Sequence, residues 1–289
     1  MTAPVASTGR RPRRPQYLPL QILLVFLVVY FLIPFWWVIV NSSKSSAGLF
    51  GGGNALWFAD DINYLENLKD LFTYGGGIYA KWLLNSALYA FVGGIGATVL
   101  AVLAGYGFAK YRFAGRRLAF AILLGAVMVP TTALVIPTFI LFSQVGLTNT
   151  IWAVIFPTWL NPFGVYLMNV YAREAVPDEL LDAARVDGAG ELRVMISVVA
   201  RLAKPAIAAV ALFMFLLTFS DFFGPLLYAG DEESNWTLSV GLAQFRTLHQ
   251  VQWNLTMAAT LLVMAPVVVL FFTAQNAFVE GVTLTGVKE

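Results

Sequence analysis

The sequence contains no cysteine, only one histidine, and unusually little charge. Without cysteine the chain has no disulfide, no thiolate nucleophile and no cysteine metal site. The lone histidine, His249, argues against a metal site built from imidazoles. Charged residues make up 12% and hydrophobic residues 59% of the 289 positions, whereas charged residues are about a quarter of a soluble domain. The composition therefore predicts that lipid is the solvent for much of the chain.

A cleavable signal peptide is not evident either. The N-terminus is basic, and an apolar run from Leu18 to Val40 follows it. This run is 23 residues long and does not end in a small-x-small cleavage site, whereas the apolar core of a signal peptide is about 7–15 residues. The run is therefore predicted to be a helix that stays in the membrane.

Apolar segments long enough to cross a bilayer recur along the chain. A spanning helix needs about 20 apolar residues. The stretch Leu118–Ala172 carries no charge over 55 residues, about 80 Å of helix, so we divide it into two spans at the polar segment 143–150. The six predicted spans of an 18–279 permease domain are 18–40, 82–109, 118–142, 151–172, 205–229 and 251–278, flanked by tails at 1–17 and 280–289.

Lysine and arginine predict the orientation of these spans. Basic residues concentrate in the N-terminal tail (Arg10, Arg11, Arg13 and Arg14) and in the segments 110–117 and 173–204. We therefore expect a multi-pass protein of a bacterial or archaeal cytoplasmic membrane, with both termini cytoplasmic. Tryptophans near the predicted span ends are interpreted as interfacial anchors: Trp36, Trp37, Trp82, Trp152 and Trp253.

The internal segment 173–204 is predicted to form two short helices joined at a glycine corner. Pro177 suits the first helical position, and Asp178 and Glu179 complement the dipole of the first turn. Gly188 provides a stop, because glycine adopts left-handed backbone conformations without steric penalty. A second helix, 191–202, leads through Pro205 into the fifth span. Small side chains at the corner favour close approach of another protein, although an amphipathic helix lying on lipid headgroups remains an alternative.

The same segment resembles a known family. The run Asp182-Ala183-Ala184-Arg185-Val186-Asp187-Gly188-Ala189 looks like the "EAA" motif of binding-protein-dependent ABC importer permeases, and its Asp-Gly-Ala is typical of the carbohydrate-uptake branch. Further fragments match that branch in order and spacing: Asn63-Tyr64, Asn85-Ser86, the run 105–110, Met128-Val129-Pro130, the run 146–150 and Phe278-Val279-Glu280-Gly281.

The resemblance also has departures. The leading acid is Asp182 rather than glutamate, and the Leu-Pro pair that ends the family motif falls on Ala200-Arg201. The fifth-span pattern, usually Trp-Asn-Asp-Phe, reads Phe219-Ser220-Asp221-Phe222. Residue roles within the membrane therefore transfer less securely than those of the loop.

The resemblance implies an all-α fold of the type I ABC importer permease, with six transmembrane helices and a cytoplasmic coupling-helix elbow. It implies half of a translocation pathway for a sugar, completed by a second homologous permease, two ABC ATPase subunits and an extracytoplasmic solute-binding protein, with no nucleic-acid partner. The resemblance also implies that the residues which dock on the ATPase are Asp182, Ala183, Ala184, Asp187, Gly188 and Ala189. ATP and magnesium belong to the ATPases, because this chain has no Gly-Lys pair and so no phosphate loop. We therefore expect no catalysis and no cofactor in this chain.

Asp221 is the only ionisable residue within a predicted span. Such a carboxylate faces protein or water, because lipid exposure would cost several kcal/mol. It is interpreted either as a translocation-pathway residue or as a structural hydrogen-bonding group. The same two interpretations apply to the uncharged polar residues Asn161, Asn169, Thr218 and Ser220.

Competing functions are a secondary transporter, a membrane enzyme and a structural scaffold. A secondary transporter usually shows an internal repeat with interrupted helices, and no repeat is visible. An enzyme would need paired carboxylates, a metal cluster or an activated nucleophile, and none is visible. A permease for a non-sugar solute such as a glycerol phosphate remains an alternative.

Overall fold

The computed structural model describes residues 18–51, 54–60, 62–230, 232–246 and 252–286, without the side chains of residue 274 and of residues beyond 275. The predicted N-terminal tail, His249 and the last three residues lie outside these ranges. The described part is all-helical, as predicted, and contains no β-strand. Its helices are α1 (Leu18–Ser42), α2 (Ser46–Phe50), α3 (Tyr64–Thr73), α4 (Ile78–Lys110), α5 (Arg116–Val127), α6 (Thr131–Gln144), α7 (Ile151–Trp159), α8 (Pro162–Ala175), α9 (Asp178–Val186), α10 (Glu191–Val194), α11 (Ala200–Leu202), α12 (Lys204–Ser220), α13 (Phe223–Tyr228), α14 (Leu238–Gln244) and α15 (Trp253–Gly286).

Candidate membrane spans number between four and six in the described residues. Four stretches are long and apolar enough to cross a membrane: Leu18–Ser42, Ile78–Lys110, Ile151–Ala175 and Trp253–Thr273. Two bent pairs pass the same test when each pair is counted as one span: Arg116–Val127 with Thr131–Gln144, and Glu191–Leu202 with Lys204–Ser220. The upper figure equals the number of predicted spans, but the predicted spans 118–142, 151–172 and 205–229 are not continuous helices. The second bent pair also includes the segment 191–202, which was predicted as part of the internal loop.

The third predicted span, 118–142, is wrong as a single helix. Its two halves, α5 and α6, meet at an angle of 103°. Pro130 lies at the break with an extended backbone (φ −60°, ψ 125°). Proline lacks the N–H that would continue the hydrogen-bond ladder, and its ring disfavours a helical conformation at the preceding residue. The Met128-Val129-Pro130 sequence therefore ends α5.

The fourth and fifth predicted spans are interrupted as well. Asn161 is extended (φ −112°, ψ 98°), as expected for a residue before proline, so α7 ends and α8 begins at Pro162. The helix α12 ends at Ser220, not near residue 229, and Asp221 is extended (ψ 132°). Pro225 cannot donate the hydrogen bond that a continuous helix would direct to the Asp221 carbonyl, and the short helix α13 follows.

The helix α4 lies at the centre of the packing. It contacts α7, α8, α12 and α14. The backbones of α4 and α8 approach closely where Gly105 faces Met168: a Cβ atom at position 105 would lie 2.5 Å from the Met168 Cβ and 2.9 Å from the Asn169 backbone nitrogen. The Asn169 amide donates a 3.3 Å hydrogen bond back to the Gly105 carbonyl. A small residue is therefore required at this helix crossing.

Trp82 does not act as an interfacial anchor, contrary to the sequence-based expectation. Its side chain is 1% exposed and packs with Leu238 and Phe245 in the core. The indole N–H donates a 2.8 Å hydrogen bond to the Glu233 carbonyl. Buried tryptophan finds such a partner because an unpaired N–H would be costly. Trp82 thus joins α4 to the segment that precedes α14.

Hydrogen bonds join the segment after α1 to α3 and to the start of α15. The amphipathic piece predicted at 64–72 is the helix α3. The Asn67 amide donates hydrogen bonds to the carbonyls of Ser42 (2.9 Å) and Lys44 (3.0 Å), and accepts a 3.3 Å bond from Asn254 on α15. These contacts tie the end of α1 to α3 and α15. Most of α1 is otherwise exposed within this chain.

The α4–α8 crossing gives the first testable prediction. The substitution Gly105→Ala should destabilise the folded chain by about 1–3 kcal/mol, because the added methyl forces the two backbones apart. Gly107→Ala is the matched control on the same helix, since a Cβ atom there meets no atom within 4 Å. Thermal unfolding in detergent should show a lower midpoint for Gly105→Ala only. Equal midpoints for the two variants would contradict the close packing.

Candidate coupling site

The predicted elbow exists and begins with α9. This helix starts at Asp178, one residue later than the sequence indicated, with Pro177 as its N-cap in an extended conformation (ψ 139°). Asp178 and Glu179 occupy the first turn and Arg185 the last, an order that complements the helix dipole. The residue Leu181 is buried, so α9 has one face toward the rest of the chain and one face outward.

The helix α9 ends in a Schellman motif at the predicted corner. Gly188 has φ +79°, the left-handed region that other residues adopt with strain. Its N–H bonds to the Arg185 carbonyl at 3.0 Å, and the Ala189 N–H bonds to the Ala184 carbonyl at 3.0 Å. These two bonds satisfy carbonyls that the helix end would leave free. The corner is therefore defined by the backbone of Gly188.

The outward face of the corner is open and partly apolar. A Cβ atom at Gly188 or Gly190 would meet nothing within 4 Å. Ala183 and Asp187 are exposed, Ala184 and Ala189 are half-buried against the inner face, and Val186 is 87% exposed. Small residues around an exposed valine leave room for another protein surface to approach the backbone closely.

The inward face of the elbow packs against the end of α4. Val176, Leu181, Val194 and Val199 form one buried cluster with Tyr106. This cluster includes residues from both halves of the elbow and one residue of α4. The two short helices therefore cannot separate from each other, or from α4, without exposing apolar surface.

Polar contacts reinforce this attachment at Lys110, the last residue of α4. The Lys110 ammonium lies 2.7 Å from a carboxylate oxygen of Asp178 and donates a 2.5 Å hydrogen bond to the Val176 carbonyl. The hydrogen bond that Lys110 donates to Asp178, together with the ammonium charge, holds the pKa of the Asp178 carboxyl below its usual range. The start of α9 is thereby fixed to the end of α4.

A second polar cluster closes the corner itself. The Arg185 guanidinium contacts Glu191 through two bonds, Nε to Oε1 at 2.8 Å and Nη2 to Oε2 at 3.3 Å. Tyr111 donates its hydroxyl hydrogen to Oε2 of the same carboxylate. The hydrogen bond from Arg185, and to a smaller extent that from Tyr111, lowers the pKa of Glu191. A bidentate pair fixes both distance and orientation, so Arg185 and Glu191 join α9 to α10 across the glycine corner.

The leading acid of the motif also contacts Arg185. An oxygen of Asp182 lies 3.1 Å from Nη1 of Arg185, and the Asp182 side chain is 72% exposed. Sequence reasoning placed Asp182 in the docking surface but did not identify Lys110, Tyr111, Arg185 or Glu191 as bracing groups. The periodicity of the sequence carries no signal for the Lys110–Asp178, Tyr111–Glu191 and Arg185–Glu191 contacts, because each of them joins two different elements.

The second half of the elbow covers the predicted range 191–202 but is not one regular helix. A π-helical segment, Met195–Val199, separates α10 from α11. Such segments are uncommon and are often found at functional sites. The elbow then meets α12 at an angle of 86°, with Pro205 in the first turn of α12. The elbow is thus linked directly to two long helices, α4 and α12.

The polar residues predicted within the membrane lie at helix breaks. Asn161 follows α7, and its side-chain oxygen accepts a 3.0 Å bond from the Gly164 N–H at the start of α8. Asp221 follows α12 and accepts a 3.4 Å bond from the Gly224 N–H. Ser220 is the exposed last residue of α12. Within the described part of the chain, no hydrogen bond joins any two of these three side chains.

Asn169 and Thr218 have structural hydrogen bonds instead. Asn169 is 2% exposed and bonds to α4 as described above. The Thr218 hydroxyl donates to the Met214 carbonyl one turn earlier at 2.9 Å. Both side chains therefore donate hydrogen bonds to backbone carbonyls in the interior of the bundle.

Known transport proteins are similar to this chain over nearly its whole length. The arabinooligosaccharides transport system permease protein AraQ of Halalkalibacterium halodurans is 31% identical, over 91% of this chain and 93% of that protein. The maltodextrin transport system permease protein MdxG of Bacillus subtilis is 32% identical, over 91% and 94%. These relatives are permease subunits of sugar transport systems.

Structural similarity supports the same fold. A chain from the crystal structure of a bacterial ABC transporter involved in the import of the acidic polysaccharide alginate superposes with a TM-score of 0.78, over 92% of this chain and 99% of the other, at 21% identity. The family described as "binding-protein-dependent transport system inner membrane component" matches residues 97–284. The matched range includes the whole elbow and most of the helical core, so this chain belongs to the family of binding-protein-dependent transport system inner membrane components.

Proposed function

We propose that this chain is one permease subunit of an ATP-driven importer of an oligosaccharide or a related polyol. In this proposal a second, homologous permease completes the pathway, an extracytoplasmic binding protein delivers the solute, and two cytoplasmic ATPase subunits supply ATP, magnesium and all catalysis. The family and the sugar-transport relatives support the class of solute. Both termini and the elbow are cytoplasmic in this proposal, as the distribution of arginine and lysine favours.

The observation that carries the proposal is the elbow. Its outward face presents Asp182, Ala183, Asp187 and Gly188 with no covering atoms from the chain near Gly188. Its inward face is fixed to α4 by an apolar cluster and by the Lys110 and Tyr111 contacts. An element with one free face and one attached face can dock on an ATPase and transmit its movement to a membrane helix.

The route of transmission has two branches besides the covalent link of α9 to α8 through Val176 and Pro177. One branch passes through Lys110 and Tyr111 into α4, which contacts α7, α8, α12 and α14 among others. The other branch is covalent and passes through Pro205 into α12. Because α4 and α12 also pack against each other, a rigid-body shift of the elbow would move both helices together.

The helix breaks support a pathway role for Asp221, Asn161 and Ser220. Non-helical backbone at membrane depth is tolerated where it is buried in protein or lines a water-filled cavity. All three residues lie at or beside such breaks, in α7–α8 and in α12–α13. We therefore propose that these breaks border the route of the solute.

Reconstitution tests the function as a whole. Proteoliposomes that contain this chain, its partner permease and the ATPases should take up a labelled oligosaccharide only with ATP and the binding protein present. Uptake driven by an ion gradient without ATP would indicate a secondary transporter. ATP-dependent uptake of glycerol phosphate but not of oligosaccharides would support the alternative solute.

The brace across the corner gives a prediction about stability. The substitution Glu191→Gln should speed hydrogen exchange of the amides of residues 187–189 by up to about fivefold, as expected for losing an exposed ion pair. The pKa of Glu191 is lowered in the fold, so its stabilising contribution is present at neutral pH. That contribution is lost as the pH falls through the lowered pKa, below the ordinary value of 4.5.

Glu179→Gln is the control for this experiment. It removes one negative charge from the same elbow, and Glu179 has no hydrogen bond or ion pair within the described residues. If both variants show the same exchange as the unmodified chain after correction for intrinsic rates, Glu191 does not brace the corner.

The backbone of Gly188 gives a prediction about coupling. The substitution Gly188→Val should weaken docking of the ATPase by about 5- to 150-fold, because a β-branched residue at φ +79° is strained by about 1–3 kcal/mol. Gly188→Asn should retain most of the docking, since asparagine tolerates the left-handed region. ATPase retention during purification is the measurement. Full retention of the ATPase by the valine variant, with normal uptake, would show that the corner is not the coupling element.

Asp221 gives a prediction that separates its two proposed roles. Asp221→Asn keeps a side-chain oxygen that can accept the Gly224 bond but removes the charge, whereas Asp221→Ala removes both and should lower stability by about 1 kcal/mol. A pathway role predicts that Asp221→Asn assembles normally and transports more slowly. Normal uptake by the asparagine variant, combined with lower stability of the alanine variant, would leave only the structural role.

A further inference from the structure

An arginine-lined cleft lies beside the elbow, between α5 and α8, and the coupling proposal does not use it. The cleft has a volume of about 520 Å³, and six residues line it: Arg116, Arg117, Phe120, Ala121, Leu124 and Arg173. A second cleft of about 470 Å³ shares Arg116 and Arg117 and adds Arg112. Four arginines therefore surround one short stretch of surface at the elbow end of the bundle.

The lining changes from basic to apolar along α5. Residues 116, 120 and 124 are spaced by four and so lie on one face of the helix, as do 117 and 121. The arginines are in the first turn of α5, and the apolar lining residues are one and two turns farther along. The guanidinium of Arg173, in the last turn of α8, lies 5.9 Å from the centroid of the Phe120 ring. The cleft thus has a cationic end and an apolar end.

The cleft arginines have no paired carboxylate among the described residues, although the charge of Arg112 acts on the Asp178 carboxyl. Within the described residues, the three ion pairs use Lys110 and Arg185 and none of the cleft arginines. Arg116 donates one 3.1 Å bond to the Tyr111 carbonyl, which is neutral. Clustered arginines without carboxylates repel one another and favour a bound anion, and their planar donors match phosphate oxygens.

The apolar end faces outward from the chain. No residue of α5 is buried, and of the apolar lining residues Ala121 is exposed and Leu124 is 40% exposed. Apolar side chains this exposed on a candidate membrane span are suited to acyl chains. A free phosphate ion would use the arginines but would leave the apolar part of the cleft unoccupied.

We propose that this cleft binds the phosphate of an anionic phospholipid, with the headgroup between Arg116, Arg117 and Arg173 and an acyl chain along Phe120, Ala121 and Leu124. Basic pockets between membrane helices on the cytoplasmic side are suited to such headgroups. The bound lipid would bridge the start of α5 to the end of α8, directly before the elbow. This lipid site depends on membrane insertion but not on the identity of the transported solute.

Photolabelling of the full chain in nanodiscs tests the site. The nanodiscs contain phosphatidylcholine with a small fraction of photoactivatable phosphatidylglycerol, or of photoactivatable phosphatidylcholine in the parallel sample. We expect the anionic lipid to label residues 117–124 at least about tenfold more than the neutral lipid. In Arg116→Gln/Arg117→Gln/Arg173→Gln, labelling should fall by about fivefold for each guanidinium removed. Equal labelling by the two lipids, or unchanged labelling in this variant, would overturn the proposal.

Two matched variants show whether a loss of labelling comes from the lost cleft charges, from poor folding or from the change in net charge. Replacing the same three arginines by lysine keeps the charge, so the preference for anionic lipid should largely remain even where the glutamine variant folds poorly. Arg193→Gln/Arg201→Gln/Lys204→Gln removes the same charge from exposed positions on the other side of the corner and should leave labelling unchanged. Loss of labelling in this second variant equal to that of the cleft variant would mean that net charge, not the cleft, attracts the lipid.

Two further experiments distinguish a bound lipid from a free anion and from a partner protein. Displacement of the lipid by excess inorganic phosphate at constant ionic strength would assign the cleft to a free anion and overturn the lipid proposal. Absence of labelling in the assembled transporter, with labelling in the isolated chain, would show that a partner protein covers the cleft, which also overturns it. Persistent labelling under both conditions is the expected result.

Discussion

Every backbone N–H and C=O of a membrane-embedded segment needs a partner within the protein, because hydrocarbon offers none. This constraint explains why the candidate spans are helical, and it also decides where the helices can end. The breaks at Pro130, at Asn161 and at Asp221 each free backbone groups. Side chains compensate at two of them, since Asn161 and Asp221 each accept a bond from an N–H group of the helix that follows. Asn161 and Asp221 therefore lie where an interrupted backbone requires a polar partner.

The same constraint explains why α4 carries so much of the packing. A long apolar helix gains little from burying apolar side chains against others that lipid would solvate equally well, so close contact and hydrogen bonds hold the bundle. Gly105 allows α8 to approach α4, and Asn169 bonds across the crossing. At the opposite end of α4, Trp82 bonds to the segment before α14. The elbow then attaches to this already fixed helix through Tyr106, Lys110 and Tyr111.

The sequence predicted the parts of the fold that follow from composition and from local chemistry. Apolar length located the membrane helices, and proline, acids and glycine located α9 and its corner. Other features were not predicted, and three of them show why. The Pro130 break was missed because proline alone is ambiguous: Pro34, Pro137, Pro157 and Pro266 lie inside unbroken helices. The burial of Trp82 depends on a partner 151 residues away. The bracing of Glu191 by Tyr111 depends on two elements that meet only in the folded chain.

With the proposed lipid bound, the arginine cleft would add a membrane contact to the proposed coupling route. The helix α8 runs into α9 with only Val176 and Pro177 between them, and Arg173 lies in its last turn. An anion held between Arg173 and the first turn of α5 would restrain the end of α8, while the Lys110 contacts restrain the start of α9. The elbow would then be held on both sides of the Val176-Pro177 junction, by lipid on one side and by α4 on the other. A stiffer junction transmits a larger share of an ATPase movement to the helices and loses less in local bending. Anionic lipid would on this argument increase coupling efficiency without contacting either the solute or the ATPase.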